Sequence, residues 1–162
     1  MNTTIDLTLP DGWSAREPDE RDIARLAQLR ADHTRSVIGR GTPDVSLVLS
    51  EVIGQGSLTR RQAIALDPDG LARGWAVAHD RAAGRSLIGV VVDPDLSAAV
   101  ADPVAAGLFA WAGRAVDSFV SLRGLDFTQL DSGAYALDPR QRAWLGPARY
   151  RQVPSWLQLS RP

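Results

Sequence analysis

Residues 84–113, GRSLIGVVVDPDLSAAVADPVAAGLFAWAG, decide the fold. They open on an apolar run, Leu87-Ile88-Gly89-Val90-Val91-Val92, rich in β-branched residues, which predicts a strand buried on both faces. Asp93-Pro94-Asp95 stops it, because proline donates no ladder hydrogen bond and biases its neighbour away from helix. A small-residue loop, Ser97 to Ala101, leads to Asp102-Pro103. That pair predicts a helix start, with aspartate as N-cap and proline in the first turn, where its missing N–H costs nothing. Val104, Leu108, Trp111 and Ala115 then recur at helical spacing, so one face of the helix goes to the core. A buried strand, a turn and a helix N-terminus together make a place to hold an anion.

The 162 residues suffice for one domain with a sizeable core. Residues 1–10 read as a flexible polar lead-in and 11–162 as the single domain. A net charge of −1 gives no global field for nucleic acid or an anionic membrane surface. All 18 basic residues are arginine, which with the alanine content fits a GC-rich coding bias. The absence of cysteine excludes disulfides, thiol nucleophiles and zinc–thiolate sites. No run of 18 apolar residues and no apolar leader core is present, so the expected location is cytoplasmic.

Outward from the central stretch, Trp13–Arg16 predicts a short strand, and Asp19 caps a helix carrying Ile23, Leu26, Ala27 and Arg30. Pro43-Asp44 starts a second helix with one apolar stripe, Val45, Val48, Leu49 and Val52, ending at Gly54. Strands over Arg61–Leu66 and Leu71–His79 pair as a hairpin through the turn Asp67-Pro68-Asp69-Gly70. Gly124 closes the long helix, Leu125–Leu130 alternates as a strand, and Asp138-Pro139 begins a short helix with Gln141 at the capping-box position. Tyr150–Leu159 supplies one or two last strands. The result is a mixed α/β (α+β) domain with about four helices.

That order resembles the GNAT family of acyl-CoA-dependent N-acetyltransferases over roughly Trp13–Arg161. The resemblance is carried by Asp67–Gly70 with Gly74-Trp75-Ala76-Val77, by Val90-Val91-Val92-Asp93-Pro94-Asp95, by Trp144–Tyr150 and by Ser155–Leu159. It implies a mostly antiparallel sheet whose central strand splays from its neighbour, with main-chain atoms of Val91, Val92 and Asp93 holding the pantetheine arm of acetyl-CoA. It implies also a small-molecule amine as acceptor and transfer by direct attack. The family's R/Q-x-x-G-x-G/A diphosphate loop is matched here by Leu96–Pro103, which has no arginine or glycine and runs two residues longer. Of its positions, Ala99, Ala101 and Asp102 are the expected cofactor neighbours. A carboxylate at Asp102 about 4 Å from a phosphate repels it by roughly 1–4 kcal/mol, which weakens CoA binding. The family's acid tyrosine falls at Leu145, leaving Tyr135 as the nearest substitute.

Amine acylation needs a proton acceptor. Asp131-Ser132, after the fifth strand, has the best position beside the implied acyl group. Glu51 sits beside an apolar stripe, where burial raises a carboxylate pKa, although a solvated helix face accounts for it as well. His79 and Asp80 suit a turn, and His33 reads as a surface residue. No metal-ligand spacing or nucleophile elbow is present. Three readings follow: a GNAT-type acyltransferase with weakened CoA binding, a non-catalytic GNAT-like binding or interaction module that has lost CoA binding and could pair with an active lobe, or a GNAT-fold enzyme that keeps the cleft with altered chemistry. The exposed strand 150–159 also allows a homodimer.

Overall fold

A computed structural model describes residues 5–153. Among these residues five strands form one open sheet in sequence order: β1 (Ser14–Arg16), β2 (Arg60–Leu66), β3 (Ala72–Asp80), β4 (Arg85–Val92) and β5 (Gln129–Ser132). The first four pair antiparallel, and only β4 and β5 run parallel. Helices α1 (Ile23–Ile38) and α2 (Val45–Val52) precede β2. Helices α3 (Ala98–Ala115) and α4 (Asp117–Arg123) join β4 to β5, and α5 (Pro139–Leu145) follows.

Strand alternation divides the core. On one face Leu26, Leu29 and Val48 of α1 and α2 pack on Ile64 and Trp75. On the other, Val104, Leu108, Ala112 and Trp144 of α3 and α5 pack on Ala76, Ile88, Val90 and Val92. Gly74 lets α3 lie close against β3, since a Cβ there would stand 2.8 Å from Leu108 Cδ1. The Asp67 turn forms as expected, with Gly70 at φ +80° and Asp67 Oδ1 accepting from the N–H groups of Asp69 and Leu71.

Several expectations are corrected. Residues 5–10 carry apolar contacts not expected of a polar lead-in: Leu7 and Leu9 pack on the core, and Thr8 crosses α3 at Gly107, where a Cβ would meet the Thr8 carbonyl. Strand β4 is covered evenly on one side only. Ser86, Ile88, Val90 and Val92 are buried, whereas Leu87 is 39% exposed because α1 covers that face no further than Val91. On α2 only Val48 and Val52 are buried; Val45 and Leu49 stand about half out of the core. The strand expected over 125–130 starts only at Gln129. Leu125 N–H instead bonds the Val120 carbonyl behind Gly124, whose left-handed φ of +62° ends the separate α4 and not the long helix, which stops at Ala115, so these residues serve a helix cap. The expected strands 150–159 lie mostly outside the described residues.

Candidate functional site

The principal correction concerns α3. It begins at Ala98, with Ser97 as N-cap, more than a turn before Asp102. Pro103 therefore lies inside the helix, and Asp102 is not the cap. Its carboxylate turns sideways, where Oδ1 accepts from Trp144 Nε1 at 2.7 Å. The β4–α3 loop is only residues 93–97, and residues 98–103 of the stretch expected as a loop are helix. Ala101 is fully buried and Ala99 exposed in the first turn. Ser97 offers no side-chain cap, and its carbonyl takes the Val100 and Ala101 N–H groups. The amides of Ala98 and Ala99 are thus left for solvent or an anion, since the first helical N–H groups have no intrahelical partner.

Beside this helix end, β4 loses its neighbour. Pairing with β5 stops at Ile88/Ser132. Beyond that point side chains take the open edge of β4. Ser132 Oγ donates to the Ile88 carbonyl at 2.8 Å, and Gln141 Nε2 donates to Val90 O at 3.1 Å. Arg140 gives Nη2 to the carbonyls of Val92 and Asp93, each at 3.0 Å, and Nη1 to Leu96 O at 3.2 Å. The carbonyls of Val90 and Val92 point away from β3. Residue alternation therefore turns the main chain of Val91 toward β3, where its partner is Trp75. Val91 is not an open-edge residue; Val90 takes its place, and Val92 remains.

The first turn of α5 carries these contacts. Asp138 caps α5 as expected, Oδ1 accepting from Gln141 N at 2.9 Å. The capping box is only half formed, because the Gln141 side chain reaches β4 instead of turning back. Gln141 Oε1 is buried without a hydrogen-bond partner, an orphan acceptor beside the open edge.

The remaining candidates are spread more widely. Asp93 is a structural anchor: its side chain is 7% exposed and Oδ2 accepts from Arg25 at 2.7 Å and Arg73 at 2.9 Å. Burial raises its pKa, but hydrogen bonds from Asp95 N–H, Arg73 and Arg25 outweigh burial and hold it below the ordinary carboxylate value. Asp131 pairs with Arg85 at 2.6 Å and accepts from Gln129, and these bonds lower its pKa, the opposite of what a base at neutral pH needs. Glu51 lies between Arg30 at 2.6 Å and Arg60 at 3.7 Å. Asp80 is tied to Arg123 at 2.8 Å. Burial, with Arg60 and Arg81 nearby, lowers the His79 pKa.

Tyr135, on the β5–α5 loop, lands beside a group that the sequence reading placed on the surface. His33 of α1 is only 16% exposed in its side chain, and its Nε2 lies 2.7 Å from Asp138 Oδ2. The Tyr135 and His33 ring centroids are 6.2 Å apart. Nothing in the local sequence of α1 signals this, since the partner is 105 residues away. Among the described residues, no cluster suits a metal and no helix is long and apolar enough to cross a membrane.

No family model matches the sequence, and no curated protein matches it. Its fold is matched among solved structures. The chain is similar to a GCN5-related N-acetyltransferase from Sphaerobacter thermophilus, with a TM-score of 0.68 and 20% identity over 90% of this chain. The chain has the GNAT fold. It spans only 45% of that Sphaerobacter chain. It is also similar to YncA of Salmonella typhimurium, solved with its cofactor acetyl-CoA (TM-score 0.63, 12% identity, 87% of this chain and 80% of that one). A third similar structure is AAC(6')-Iy in complex with the bisubstrate analogue CoA-S-monomethyl-acetylneamine (TM-score 0.57, 18% identity, 93% and 98%).

Proposed function

We propose that this chain is a GNAT-type acyltransferase that moves an acetyl group from acetyl-CoA to the amine of a small molecule. The observation that carries the reading is the end of the β4–β5 pairing at Ile88/Ser132, which leaves the rest of that β4 edge without a strand neighbour, beside an α3 N-terminus that no side chain caps. The residues present fit the cofactor. Amides of Ala98 and Ala99 suit its diphosphate, and Arg140, bonded to Leu96 O, brings to this loop the positive charge its own sequence lacks. The buried Gln141 Oε1 suits an amide N–H of the pantetheine arm at the edge of Val90 and Val92. When bound, acetyl-CoA supplies an activated thioester carbonyl. The chain's own work is to orient that group, exclude water and hold protons. A small-molecule acceptor is supported by the aminoglycoside-derived half of the analogue bound to AAC(6')-Iy. Weak CoA binding is part of the proposal, with a different cause from Asp102: the arm competes with Arg140 and Gln141 for β4.

Calorimetric titration with acetyl-CoA tests this. A micromolar to sub-millimolar constant, with thiol release on adding amines, supports it; no heat at millimolar ligand refutes it. A second reading, a non-catalytic lobe paired with another GNAT-fold lobe, is favoured by two observations. The open-edge carbonyls already have partners within the chain, and the Sphaerobacter chain is about twice as long as the match.

A further inference from the structure

We propose that His33 is the proton acceptor for the incoming amine and that Asp138 positions it, an assignment resting on the acyl-transfer reading above. Helices α1 and α5 pack on opposite faces of the sheet, through Leu26 and Leu29 on one side and Trp144 on the other. A hydrogen bond between them passes where no strand intervenes, beyond the last β4–β5 pair, Ile88/Ser132. His33 and Asp138 therefore meet across the gap in which the acyl group would be presented.

The pair is built to fix one tautomer. Asp138 Oδ1 is committed to the Gln141 N–H as the cap of α5, so Oδ2 is aimed at His33 Nε2. A carboxylate accepts, so Nε2 carries the hydrogen, and in the neutral ring Nδ1 then carries the lone pair. Nδ1 has no hydrogen-bond partner among the described residues. A cap alone needs only one carboxylate oxygen; the second is used to hold a histidine from the other face. Gln141 also donates to Val90 O, which links the dyad to the open edge of β4 in three hydrogen bonds.

In the proposed step an ammonium N–H bond breaks, the proton bonds to Nδ1 and the electron pair stays on the amine nitrogen. The imidazolium so formed keeps its Nε2–H on the Asp138 carboxylate, which stabilises the new charge. The ring then returns the proton to water. Asp131, Glu51 and Asp80 are less suited, since each is tied to an arginine.

The test uses the full chain with acetyl-CoA and a panel of primary amines (an aminoglycoside, a polyamine and a free amino acid), with thiol release as the rate. His33→Gln keeps a donor for Asp138 but no base. Its kcat is expected to fall by about 10²–10⁴-fold, with thermal stability and acetyl-CoA affinity unchanged. Asp138→Asn retains a good helix cap and is expected to lower kcat while leaving α5 intact. A His33→Gln variant as fast as wild type makes His33 a brace and overturns the assignment. Imidazole ¹⁵N NMR gives an answer independent of turnover. Support is an Nε2–H tautomer whose bare Nδ1 resonance moves when acetyl-CoA saturates the protein. An Nδ1–H tautomer, or an unmoved signal in the saturated protein, overturns it. Failure of acetyl-CoA to bind refutes the acyl-transfer reading itself, and the assignment falls with it.

Discussion

Strand β4 has two edges, and they are held by different means. Toward β3 its ladder runs unbroken from Asp80/Ser86 to Gly74/Val92. Toward β5 the ladder covers Arg85–Ile88, and side chains from α5 take over. Backbone ladders are dictated by register and can be undone only with the fold. Side-chain donors have rotamers and can exchange partners with a ligand. The difference separates the part of the protein that must be stable from the part that can bind.

If that separation is right, damage on the β3 side unfolds the chain. Asp93→Ala removes a carboxylate shared by Arg25 and Arg73 where β3, β4 and α1 meet, leaving Arg25 with only the Ala72 carbonyl and Arg73 with Asp67 alone. A loss of about 3–5 kcal/mol is expected from breaking such a buried pair, measured by urea denaturation. Gly74→Val drives a side chain into Leu108 and is expected to cost about 1–3 kcal/mol in the same experiment. A cost under 0.5 kcal/mol for either would erase the contrast.

Damage on the β5 side is expected to alter binding more than folding. Gln141→Leu removes a hydrogen bond to Val90 O but also an orphan acceptor, so its stability change should stay within about 1 kcal/mol. Acetyl-CoA affinity should change at least several-fold, read by calorimetry. The reverse pattern, lost stability with unchanged affinity, would make α5 purely structural.

Acid sharpens the comparison further. Asp93 is held below its unfolded pKa near 3.9. The folded chain thus binds fewer protons than the unfolded one, and the Asp93 contribution is complete above about pH 4 and lost as pH falls through the lowered folded value. Denaturation from pH 7 to pH 3 should show this acid limb, flattened in Asp93→Asn. The smallest effect belongs to Arg85–Asp131, whose arginine is 60% exposed. Arg85→Ala should cost no more than about 1 kcal/mol, with its salt dependence as the check.

Much of this was legible in the chain. The Asp67–Gly70 turn, the Asp44 and Asp138 caps and the Gly124 stop are local devices, each complete within about four residues. The α3 start was misread because Asp102-Pro103 has the right local chemistry for a cap. Trp144, 42 positions away, takes the Asp102 carboxylate instead, and the core takes Ala101. The site was less legible still. Ser132 ends the β4–β5 pairing and Tyr135 lies beside His33, but Asp131 and Glu51 are tied to arginines, and His33 gave no local signal.

The sequence by itself determined the order of elements and most of their ends, because capping, turn geometry and periodicity act over a few residues. Tertiary structure alone decided which edge of β4 stays open, where Asp102 points and that His33 meets Asp138. Those outcomes depend on how α1, α3 and α5 pack on the sheet, and contacts between groups 40 to 105 residues apart leave no periodic trace in the chain.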